Sequence, residues 1–128
     1  MLFRSDIKIQ LLEKGDYLVF QPIFNYNGID TRPSDKSTIT IPDQNRILVV
    51  HRNREAEETF LQKLEGLHSM FIRQEESMSL VLKGADVLRN NWFFLFVDAM
   101  KEMKISIFGF DSLKNFRFNT AQIGRAHV

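Results

Sequence analysis

The segment from Asp86 to Met103 constrains the fold of this chain more than any other. Val87, Leu88, Trp92, Phe93, Phe94, Leu95, Phe96, Val97, Ala99, Met100 and Met103 fall on nearly every side of a helix drawn through it. A helix that is apolar on most sides is buried on most sides. In a chain of 128 residues one sheet cannot easily cover all of it. The expectation is a long helix packed on a sheet by one side and facing a partner by another. Twelve Phe against one Trp and two Tyr fit this reading, since Phe has no polar handle and belongs in a core.

The remaining periodicity is mostly that of strands. Ile7 to Leu12 and Tyr17 to Phe24 read as a pair joined by a turn at Glu13-Lys14-Gly15-Asp16. Both faces of the second are mostly apolar, which predicts a strand covered on both sides. Asn25 to Asp35 holds Asn27-Gly28 and Pro33 and reads as turn and loop. Ser37 to Ile41 alternates Thr and Ile as a half-buried strand, and Ile47 to Val50 as another. Asn53 is placed to cap a helix carrying Ala56, Phe60, Leu61, Leu64 and Leu67 on one stripe, with Gly66 as its stop. Met70 to Arg73 and Met78 to Lys83 form a second hairpin, and Lys104 to Phe108 and Phe116 to Phe118 close the chain as strands. The predicted fold is α+β, an antiparallel β-rich domain with two main helices.

Composition excludes several classes. Lys and Arg number 17 and Asp and Glu 16, without the basic excess of a tight non-specific nucleic-acid binder. The absence of cysteine removes disulfides, thiolate zinc sites and cysteine nucleophiles. The longest apolar run, Trp92 to Val97, is six residues, against the roughly 20 that span a bilayer. Charge already appears between Met1 and Asp6, unlike a signal peptide. A cytoplasmic chain is expected.

The chemistry-bearing residues form no catalytic pattern. There is no GxxxxGK[ST], GxGxxG or GxSxG motif, and the six glycines lie far apart. His51, His68 and His127 have no metal-ligand spacing. Glu55, Glu57 and Glu58 are best explained by solvation of a helix N-terminus. Asp98 reads as a wet position on an apolar helix or as a poised carboxylate. Two basic segments are candidates for nucleic-acid contact. Arg52 and Arg54 flank a strand-to-helix junction, where free backbone N–H groups favour phosphate. Lys114 to Asn119, with Arg117 between Phe116 and Phe118, alternates polar and aromatic residues as stacking sites do, although a half-buried strand gives the same alternation.

One run is distinctive: Gly84 to Phe94, with Asn90-Asn91-Trp92-Phe93-Phe94, then Asp98 to Met103, Ile107 to Phe110 and Leu113 to Phe116. It resembles the region ahead of the motor in Swi/Snf-type DNA-dependent ATPases of bacteria, especially of Bacteroidetes, a group of DEAD/DEAH-box helicases. Tyr17 to Tyr26, Ile47 to Asn53 and Glu55 to Glu57 share the likeness, which spans about residues 7 to 120. The resemblance implies a non-catalytic accessory domain over residues 1–121. The phosphate loop and Asp-Glu box of that family have no counterpart here. No catalytic, cofactor or metal residue is therefore assigned, and ATP and Mg are expected only in the parent motor. The implied partners are the rest of the same polypeptide, docked through Trp92, Phe93, Phe94 and Phe96, and double-stranded DNA, touched by Arg52, Arg54, Lys114 and Arg117.

Ile123 to Val128 reads as a translated sequencing adapter, so residues 122–128 are expected to be an artefactual tail. Without Arg125 the counts become 16 basic and 16 acidic. The alternative to a severed accessory domain is a small stand-alone interaction module that uses the same Phe-rich helix.

Overall fold

The computed structural model describes residues 6–41, 45–114 and 116. The expected terminal strand at Phe116 to Phe118 lies mostly outside them. Phe116 itself is buried and belongs to no strand.

Among the described residues, six strands make the main sheet. β1 (Ile7–Lys14) and β2 (Tyr17–Tyr26) form its antiparallel centre. Their turn is shorter than the sequence implied, because Glu13 and Lys14 stay in the strand. Gly15 supplies a φ of +60° at the first central position, the backbone that a two-residue hairpin with Gly there demands. β3 (Ile29–Thr31) returns on β2 through a turn at Asn27-Gly28. β6 (Ile72–Arg73) and β7 (Leu80–Lys83) form the second expected hairpin, with β7 antiparallel to β2. β8 (Ser106–Phe108) lies on the other edge, parallel to β1. Nothing in its own alternation marks that direction. It follows from the helical crossover that brings the chain back from β7.

Among the described residues, β4 (Thr38–Ile41) and β5 (Arg46–Val49) pair only with each other. They make a two-stranded ribbon separate from the main sheet. Thr38, Thr40, Ile47 and Val49 share one face of it, and all four are exposed.

α1 (Arg54–Glu65) is the capped helix the sequence predicts. The Asn53 side-chain oxygen accepts from the Ala56 N–H at 3.0 Å. Phe60, Leu61 and Leu64 are its buried stripe. The segment expected as one helix from Asp86 to Met103 is broken. α2 (Gly84–Leu88) ends in a single tight turn at Arg89–Asn91, and α3 (Trp92–Glu102) starts afresh. Asn90 and Asn91 both take left-handed backbone, each with φ of +57°. Asn tolerates that conformation better than most residues. The apolar pattern runs unbroken across the joint, so it conceals the break.

Both long helices cover one face of the main sheet. Ile9, Leu11, Leu18, Phe20, Phe24, Leu80, Leu82 and Ile107 face them, and Phe60, Leu64, Val87, Phe93, Phe96, Val97 and Met100 pack back. The ring of Phe20 meets Phe71 and Phe96 edge-on, each at 5.1 Å between centroids. The fold is α+β with a mostly antiparallel sheet.

Candidate functional site

The strand-to-helix junction holds the first two nucleic-acid candidates, and it turns them inward. The Arg52 side chain is 1% exposed. Its Nε donates to Glu57 Oε2 at 3.0 Å and its Nη2 to Glu57 Oε1 at 2.7 Å, a bidentate pair. The other guanidinium bonds reach the Arg32 carbonyl at 2.8 Å and the Asp35 carbonyl at 2.5 Å. Arg54 is half exposed, yet it donates to the Pro33 and Asp35 carbonyls, both at 2.8 Å. Pro33 and Asp35 lead into the ribbon, and Arg52 and Arg54 lead out of it. The arginine pair therefore laces the ribbon's base to α1. Arg52 has no N–H turned to solvent for a phosphate, which corrects its expected role.

Glu57 is the residue that sequence reasoning placed wrongly. It is buried at 2% exposure, not solvated at the helix start. Burying a carboxylate is costly unless it is paired and hydrogen-bonded. Two bonds from Arg52 and one from the Tyr26 hydroxyl, at 2.5 Å, meet that need. The same hydroxyl accepts from the Asn53 N–H at 3.1 Å. Burial, then the bond to Glu57, pushes the Tyr26 phenol up to about 12. Glu58 instead pairs with Arg73 of β6, in bonds of 2.8 and 2.9 Å, and Arg73 also reaches Glu65. The guanidinium holds the Glu58 carboxyl below the usual carboxylate range, and Glu58 raises Arg73 in turn. Glu55 stays exposed.

The other candidates divide. Lys114 is exposed, and Arg117 lies outside the described residues. Phe116 is buried and its N–H donates to Glu13 Oε1 at 3.0 Å, so it offers no free stacking face. Asp98 is exposed on α3, the wet position expected of it. His51 is exposed, and His68 is half-buried with its ring edge-on to Trp92 at 5.0 Å. His127 lies outside the described residues.

The four docking aromatics are largely spent inside the chain. Phe93 and Phe96 are 1% and 2% exposed. Trp92 is half-buried, stacks on Phe96 at 5.3 Å and donates its indole N–H to the Leu67 carbonyl at 2.8 Å. Phe94 is half-buried. Of the apolar side chains on α3, Leu95 is the one left bare, at 64% exposure. The helix is amphipathic rather than apolar all round: Phe93, Phe96, Val97 and Met100 are buried, and Leu95, Asp98, Lys101 and Glu102 are exposed.

Exposed apolar surface gathers in two other places. One is the ribbon, where Ile47 and Val49 are 69% and 61% exposed. The other is the sheet face turned away from the helices. Cross-strand register puts Leu12, Val19 and Val81 in one row there, with Ile72 beyond, and Lys14, Tyr17 and Lys83 in the next. β2 is thus covered on both sides only over part of its length. Gln21 and Ile23 are buried, while Tyr17 is exposed. A groove of about 710 Å³ opens on this face between Leu12, Val19 and Val81 and the loop from Gln74 to Ser79.

Among the described residues no group of three or more His, Cys, Asp or Glu side chains is arranged to hold a metal ion. No helix among them is long and apolar enough to cross a membrane. Comparisons with protein-family models, curated proteins and solved structures returned no match.

Proposed function

We propose that this chain is a non-catalytic, cytoplasmic accessory module of a bacterial Swi/Snf-type DNA-dependent ATPase, docking on the motor part of its own polypeptide close to the motor's DNA. Its partner is the remainder of that polypeptide, and ATP and Mg belong to the motor. The likeness of Gly84 to Phe116 to that family supports the parentage. The observation that carries the docking reading is the ribbon. A two-stranded hairpin standing apart from a sheet is marginally stable in water, yet β4 and β5 leave Ile47 and Val49 bare. Such a ribbon gains by being covered. The arginine lacing at its base fixes how it projects, so a partner meets a pre-set surface with little ordering cost.

The stand-alone module that docks through the Phe-rich helix is the weaker reading, because Phe93 and Phe96 already fill this chain's own core. Lys114, Arg117 and the exposed side of Arg54 remain the basic candidates for duplex contact.

The test mixes the chain with the motor-bearing remainder of its reading frame and follows co-elution by size-exclusion chromatography. The wild-type chain co-elutes, and the double variant Ile47→Asp with Val49→Asp does not. Co-elution unaffected by that variant, or lost equally in Leu95→Asp alone, contradicts docking through the ribbon.

A further inference from the structure

We infer that the bare face of the main sheet binds single-stranded nucleic acid, with Tyr17 and Phe108 as stacking surfaces and Lys14, Lys83 and Lys8 as backbone contacts. Binding at this face does not require the ATPase parentage or the ribbon.

The register assembles the surface from three segments far apart in sequence. Lys14 pairs with Tyr17 across the first hairpin, and Tyr17 pairs with Lys83 of β7. An exposed aromatic ring therefore sits between two exposed lysines on neighbouring strands. A second unit of the same kind lies on the β8 side of the face. Phe108 is 37% exposed and pairs with Gln10, and the Lys8 ammonium stands 5.7 Å from its ring centroid. From strand spacing and rise, the two aromatic units are about 17 Å apart. A cation beside a ring that can stack on a base is the combination single-stranded sites use.

Charge favours the same ligand. The ionisable side chains that the strands of the main sheet turn to this face are Lys8, Lys14, Lys83 and Asp30. With Lys8 paired to Asp30, the positive charge of this face is concentrated at Lys14 and Lys83, on either side of Tyr17. Asp30 is held by Lys8 at 2.9 Å, and the Asn25 amide, then Lys8, keep its carboxyl below the usual range. Lys14 and Lys83 make no ion pair among the described residues. Glu75 and Glu76 stand on the loop at the groove's far rim. They repel phosphate there and direct a bound strand from Tyr17 toward Phe108. Between the two units, Leu12 and Val19 offer apolar floor, and the half-buried Gln10 offers an amide to base edges. A flat open face admits unstacked bases, while a duplex hides its base faces.

The experiment titrates the full chain into fluorescently labelled oligothymidylate and oligouridylate of about 12 nucleotides, read by anisotropy at low and moderate salt. Binding that weakens with salt is expected for both oligomers. Tyr17→Ala and Phe108→Ala each weaken binding by roughly ten-fold, the order expected for losing one stacked base. Tyr17→Phe binds as the wild type does. Lys14→Ala with Lys83→Ala flattens the salt dependence by about 1.4 units of slope. Both aromatics are surface residues, and circular dichroism confirms that the variants remain folded. No salt-dependent binding, equal affinity for a duplex of the same length, or indifference to both aromatic substitutions overturns the proposal.

Discussion

Glu57 shows what a residue owes to its surroundings. In the sequence it is one of three glutamates at a helix start, a position that the macrodipole explains without any partner. In the fold it is the charge at the centre of Arg52 and Tyr26, and Tyr26 is 31 positions away. No local pattern announces such a contact. The one signal in the sequence was an arginine at a junction, which has two readings: a phosphate site or a clasp. Removing one partner of a buried pair leaves the other uncompensated. Glu57→Gln is therefore expected to cost about 3–5 kcal/mol, measured by chemical denaturation. A loss below about 1 kcal/mol, the worth of an exposed pair, contradicts the buried clasp. Tyr26 gives a pH test of the same cluster. Its phenol is raised from 10.0 to about 12 in the folded chain. The folded state thus favours the protonated form. The stability this contributes is complete below pH 10 and is lost as pH rises through 12. Absorbance titration of phenolate should show a late step that disappears in Tyr26→Phe. Survival of that step in the variant assigns it elsewhere.

At the scale of elements, most strands were legible and the joints were not. β1, β2, β4, β5 and the second hairpin appear where alternation puts them, and α1 begins at its Asn53 cap. The long helix was misread because periodicity reports which side chains are apolar, not whether the backbone turns between them. Asn90 and Asn91 carried the signal, as adjacent residues tolerant of left-handed backbone. Asn91→Ala should then cost about 1 kcal/mol, while Asn91→Gly should cost little or be neutral. Thermal unfolding of the pair measures the difference, and equal values contradict the kink. Gly109 is a similar joint between β8 and the turn at Phe110–Ser112. Its φ is +98°, and a Cβ there would lie 2.6 Å from the Leu11 carbonyl oxygen. Gly109→Ala should cost about 1–3 kcal/mol; a neutral result means that β8 does not sit against β1 as described.

At the scale of the whole molecule, the helices and the inner face of the sheet make a closed core, and the remaining apolar surface is set outside it. An excess of apolar residues was legible in the sequence, and that excess is real. Its location was not legible, because only the sheet register and the broken helix decide which side chains are left bare. Phe93 and Phe96 go inside, while Ile47, Val49 and Leu95 stay out. The isolated chain should therefore bind a hydrophobic dye, and Ile47→Asp with Val49→Asp should reduce that binding without changing the far-ultraviolet spectrum. Unchanged dye binding places the exposed surface elsewhere. The parentage is tested most directly by sequencing the source DNA past the codon for Ala121, with a different library chemistry. The account predicts an open frame that runs on to a GxxxxGK[ST] loop and an Asp-Glu box. A stop codon directly after Val128 in independent reads contradicts it.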